Sequence, residues 1–182
     1  MRGHVAYRIV QLRDSGVLIS LTLSSVYFTA FIVGAVMASS LGNLPSIVSE
    51  APLIGFAFKT VSAQVRLAVS EGARPDVIAY MIVLGAAIRS LAYVVTSCVP
   101  LLPAVTLFEQ GSLFSVYGLA AFDFEAVILG FIDSLSLGMV FGGLVALARN
   151  ERRRSLLAYG IMLQYVASMA TISYSVAGMV IS

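Results

Sequence analysis

Charge is what this sequence has least of. Asp, Glu, Lys and Arg make up 11% of its 182 residues, while 59% are hydrophobic. Soluble domains carry roughly 25% charged residues, so the composition excludes a solvated globule, and the mean hydropathy of +0.98 marks a membrane protein. Histidine is reduced to His4, ahead of the first apolar run, which leaves no Ser-His dyad and no helical His-metal motif. Cysteine is reduced to Cys98, so there is no internal disulfide and no CxxC redox or zinc site, and Cys98 reads as a small apolar filler. Lysine is reduced to Lys59; the other ten basic residues are Arg, and they stand in short clusters without the contiguous basic face that nucleic acid requires.

Carboxylates are equally sparse where chemistry would need them. Asp133 is the one aspartate deep in an apolar run, whereas an intramembrane aspartyl protease needs two facing each other. The metal-holding acidic motifs of head-group transferases need several on one helix. The sequence therefore points away from an enzyme, a metal site or a cofactor. The inverted repeats of secondary transporters are not evident either.

What the chain has is long apolar runs, and a spanning helix takes about 20 apolar residues. Residues 17–39, 77–97, 125–148 and 156–181 meet that length. Residues 99–122 have the length but contain Pro100, Pro103 and the triplet Glu109-Gln110-Gly111, the signature of a broken or re-entrant segment. Residues 44–69, with Glu50, Pro52, Lys59, Gln64 and Arg66, suit an interfacial or re-entrant helix. The expected fold is all-α: one polytopic integral membrane domain over residues 1–182, a helical bundle of about five transmembrane helices.

Arg8 and Arg13 in the basic segment 1–15, and Arg149, Arg152, Arg153 and Arg154 in "RNERRR", are the topology signals. Both clusters belong on the cytoplasmic side of a cell membrane by the positive-inside rule, so the chain crosses an even number of times between them. The apolar run 17–39 is longer than the 7–15 residues of a signal-peptide core and reads as a retained anchor. The arginine loop also suits anionic lipid head groups, making membrane lipids expected partners. The order of these parts, with a Gly-rich late helix, a basic loop and one further helix, is similar in layout to stage II sporulation protein M-like membrane proteins. "ILGFIDSLSLG" stands where that family's His-Gly and Glu-Leu-Pro signature would be, so the resemblance assigns no residue a role.

Three charged residues lie deep within the apolar runs. Counted at 1.5 Å per residue, Arg89 and Glu109 are each about 18 Å deep and Asp133 about 12 Å, so one Arg could reach both acids. A lone charge at a helix centre costs about 2.5–3.5 kcal/mol on insertion scales, so these groups should pair or face water. Gly130, Ser134, Gly138 and Gly142 recur at every fourth position and form one small-residue face for helix packing. Gln164, Ser168, Thr171 and Ser175 form a polar stripe on the last helix. Two functions fit this inventory. One is a subunit of a membrane-embedded assembly, packing against other membrane subunits or further copies of itself. The other is a small autonomous ion- or proton-coupled transporter or channel using Arg89, Glu109 and Asp133. On the first, Gly138→Leu should undo assembly and Asp133→Asn should be mild; on the second, Asp133→Asn should abolish flux.

Overall fold

The computed structural model describes residues 15–41, 64–65, 67–116, 124–150 and 155–180, nearly all of them helical. The helices are α1 (Ser15–Leu41), α2 (Pro75–Thr96), α3 (Leu102–Val116), α4 (Phe124–Ala148) and α5 (Ser155–Val180). The protein is an all-α membrane bundle. Among the described residues, four helices are long and apolar enough to cross a membrane: Gly16–Ser40, Pro75–Thr96, Phe124–Ala148 and Ser155–Tyr174. α3 is the exception. Its 15 residues reach about 22 Å, short of a hydrocarbon core of about 30 Å, and it is the broken segment that the prolines announce.

Local sequence fixes the helix ends. Gly72, with φ of 72°, accepts the left-handed position after a helical turn. The bonds Gly72 N–H to Val69 O and Ala73 N–H to Ala68 O complete a Schellman stop there. Pro75 opens α2 at a position whose N–H has no helical partner, and Asp76 sits in the positive first turn. The expected segment 99–122 does not run as one helix, because Pro100 disfavours helical backbone at Val99; the chain turns through residues 97–101 before α3 begins. Tyr27 on α1 secures that turn by donating its hydroxyl to the Pro100 carbonyl at 2.8 Å. Asn150, with φ of 58°, ends the helical path after α4.

α4 is the centre of the bundle: 56% of its span is buried, against 28–33% for the other three. It packs chiefly on α1 and α5, and α1 also packs closely on α3. α2 leans mainly on α5. The buried core joins Tyr27 and Phe31 of α1, Tyr93 of α2, Leu107 of α3 and Leu137 of α4. Along the α1–α4 contact, Gly142 meets Gly16, Gly138 meets Ser20 and Ser24, and Gly130 meets Phe31, so the two helices run antiparallel. Gly143 against Leu157, and Gly160 against Met139 and Val140, set α5 antiparallel to α4. The start of α1, the end of α4 and the start of α5 therefore share one end of the bundle, as expected if the two basic clusters lie on the same side.

The basic segment 1–14, most of the expected interfacial segment 44–69, and Arg152, Arg153 and Arg154 lie outside the described residues. Within that interfacial segment Val65 is described, and it is fully buried.

Candidate functional site: a buried ion pair shared by four helices

Arg89 faces inward from the middle of α2 and Asp133 from the first half of α4; they are 2% and 0% exposed. Arg89 Nη2 donates to Asp133 Oδ2 at 2.8 Å, and Nη1 to Oδ1 at a longer 3.4 Å. The guanidinium stays charged under all ordinary conditions and its fork matches a carboxylate, so the pair removes net charge from the membrane interior. The expected meeting of α2 and α4 charges is present.

Two glutamines close the ring around the pair. Gln110 on α3 turns its carbonyl to the cation, accepting from Arg89 Nη2 at 2.9 Å, and its amide to the anion, donating to Asp133 Oδ2 at 2.8 Å. Gln164 on α5 donates to Asp133 Oδ1 at 3.0 Å and accepts from the hydroxyl of Ser136. Ser168, one turn further along α5, accepts from Arg89 Nη1 at 2.9 Å. Tyr93 donates to Gln110 Oε1 at 2.9 Å, and its ring lies under the guanidinium carbon at 4.5 Å from the centroid. A carboxylate offers about four acceptor positions, and here Arg89, Gln110 and Gln164 occupy them with four bonds.

Of the expected trio, Arg89 and Asp133 meet, while the α3 group touching both is Gln110. Glu109, one position earlier, is half-buried on a different side of α3. Tyr93 and Gln110 were not among the expected site residues. Tyr93 was legible as the i+4 neighbour of Arg89 on one helix face, and Gln110 as part of the polar triplet. Of the α5 stripe, Gln164 and Ser168 join the site; Thr171 is buried, and its hydroxyl makes no hydrogen bond among the described residues. The side chain of Ser175 lies outside the described residues, and Arg149 is exposed at the end of α4.

The small-residue face of α4 is used within the chain. Gly130, Gly138 and Gly142 meet α1, and Ser134, fully buried, donates to the Gly130 carbonyl of its own helix. Gly34 and Gly111 do the same where α1 crosses α3: a Cβ on either would fall on the carbonyl oxygen of Phe108 or of Phe31. Two sequence expectations change as a result. Gly138→Leu strikes the fold before any assembly, and Asp133→Asn is not mild, because it strands a buried cation.

Loss of one amide from the ring should be measurable on its own. Gln164→Leu removes a hydrogen bond to a charged group and leaves Ser136 without this acceptor, an expected loss of about 1.5–3 kcal/mol. Reversible unfolding in mixed detergent micelles would read it as a lowered midpoint.

No family model, curated protein or solved structure matches this chain.

Proposed function

We propose that the chain is a non-enzymatic polytopic membrane protein working as a subunit of a membrane-embedded assembly, such as a transport or export complex. The observation that carries this reading is the closed state of the charge centre. A carrier coupled to protons or ions needs a carboxylate with an acceptor position open to water or to the ion. The acceptor positions of Asp133 are taken by an arginine and two glutamines. A buried polar network whose carboxylate is bonded on all sides favours one arrangement, which is what a helix-supplying subunit requires.

The contact with neighbours falls outside the small-residue faces, since those are spent inside the chain. On α2, Val77, Tyr80, Leu84, Ile88 and Val95 are 45–66% exposed and follow one another at helical spacing on a stripe turned away from the buried Ala86, Arg89 and Tyr93, with Leu84 and Ile88 at its edge toward Val65. That stripe is the face offered to a neighbouring membrane helix. The test is the mass of the protein extracted gently from its own membrane, by native mass spectrometry or light scattering. The expected particle exceeds the 19.3 kDa chain, and Leu84→Trp with Ile88→Trp reduces it to a monomer that still unfolds cooperatively. A monomer from the start overturns the proposal, and one that passes protons or ions across liposomes replaces it with the autonomous transporter.

A further inference from the structure

α2 is seated differently from the other long helices. Its buried residues are Gly85, Ala86, Arg89, Ser90 and Tyr93, and none of its first ten residues, 75–84, is buried. α1, by contrast, is buried at intervals from Gly16 to Ala38, and α4 from Ala126 to Ala146. Close backbone contacts through glycine join α1 to α4, α1 to α3 and α4 to α5; among the described residues none reaches α2. Along α5 the seam even opens, into a groove of about 520 Å³ that parts Ala87, Leu91 and Val94 from Ile161, Met162 and Val166.

What ties α2 to the bundle is polar. Arg89 bonds to Asp133 on α4, Ser168 on α5 and Gln110 on α3, and Tyr93 bonds to Gln110. Helices in lipid gain little by burying apolar surface against one another, because the surrounding tails are just as apolar. Two residues one turn apart therefore carry most of the attachment. The chain is held separately where α2 ends, by the bond from the Tyr27 hydroxyl to the Pro100 carbonyl in the turn 97–101.

We propose that α2 is a hinged arm: the turn 97–101 is its hinge, and the Arg89–Asp133 centre is the latch that holds it against α4 and α5. Beyond the latch, about 21 Å of helix runs on to Pro75. Gln64 and Val65 share a small cavity of about 110 Å³ with Met81, Leu84, Gly85 and Ile88, so they travel with the arm. Opening would leave both charges facing hydrocarbon, which penalises each of them, so the closed arm is the resting state. It opens when the pair is broken and both charges are matched elsewhere or absent. The device does not depend on whether the chain works alone or in an assembly.

The experiment reads two distances by double electron–electron resonance, using the full chain in nanodiscs with Cys98→Ser as background. Spin labels on Tyr80→Cys and Val166→Cys report the arm against α5, and labels on Leu18→Cys and Val166→Cys report α1 against α5; all three positions are more than half exposed. Without further change both distances should be narrow. Arg89→Met combined with Asp133→Leu removes the latch without stranding a charge, an exchange that buried pairs commonly tolerate. The arm distance should then lengthen by roughly 5 Å or more, the result of swinging a lever of about 25 Å through about 12°, while the α1–α5 distance stays as it was. Arg89→Lys, which keeps the charge and loses the fork, should broaden the arm distance alone and to a smaller extent. An arm distance unchanged in the double variant, or an α1–α5 distance that changes along with it, overturns the hinged arm.

Discussion

Asp133→Asn is expected to cost about 3–5 kcal/mol, the loss that follows when one partner of a buried ion pair is removed and the other remains charged. Size is nearly unchanged, so the effect is electrostatic and directional. The arginine cannot discharge itself by losing a proton, and it is 2% exposed. The new amide also brings two N–H donors to a position where Arg89, Gln110 and Gln164 already present donors. One of its two terminal groups must therefore face a donor with a donor. Pairing the change with Arg89→Gln removes the stranded cation, and the double variant should be more stable than Asp133→Asn alone. Contacting residues of one network couple by about 0.5–3 kcal/mol in such cycles, and a value near the upper end is expected here. The check is a double-mutant cycle in reversible unfolding from lipid–detergent micelles. Additive losses would mean that the two side chains do not depend on each other in the membrane.

Much of this arrangement was legible in the sequence, because lipid makes the relevant rules strict. Apolar runs of sufficient length had to be helices, since a backbone in hydrocarbon satisfies its own hydrogen bonds, and the four long runs became α1, α2, α4 and α5. Arg89 and Asp133 were legible as a pair because neither could be left alone at that depth. What spacing could not supply is rotation about the α3 axis. Glu109 and Gln110 stand about 100° apart on a helix of 3.6 residues per turn, so choosing between them requires knowing which side of α3 faces Asp133. That choice is set by the crossing with α1, where Gly34 and Gly111 bring the backbones together. The small-residue row of α4 was visible for a related reason, and its partner was not: periodicity shows that a face is small, whereas chain connectivity and packing decide that α1 fills it.

That filling makes Gly138→Leu the second large effect, and it is an effect on folding. A Cβ at position 138 would land on the Ser24 hydroxyl, within 2.5 Å of the Ser20 carbonyl oxygen and 2.9 Å of the Ser24 backbone nitrogen. A hydroxyl can rotate aside, but the backbone of α1 can only retreat as a unit. Its retreat would loosen Gly142 from Gly16 a turn further along, and Phe31 from Gly130 on the other side. Phe31 belongs to the core with Tyr27, Leu107 and Leu137, so the separation propagates to α3. Overpacking a well-filled site costs typically 1–3 kcal/mol and occasionally more. Here a rigid helix is displaced, so Gly138→Ala is expected within that range and Gly138→Leu at about 3 kcal/mol or above. Leu147→Met on the exposed end of the same helix should stay within about 0.5 kcal/mol. The comparison is read from unfolding midpoints of the three variants. A Gly138→Leu protein as stable as Leu147→Met would mean that α1 and α4 are not in contact along this row. The α4 small-residue face would then be free for a neighbouring subunit after all.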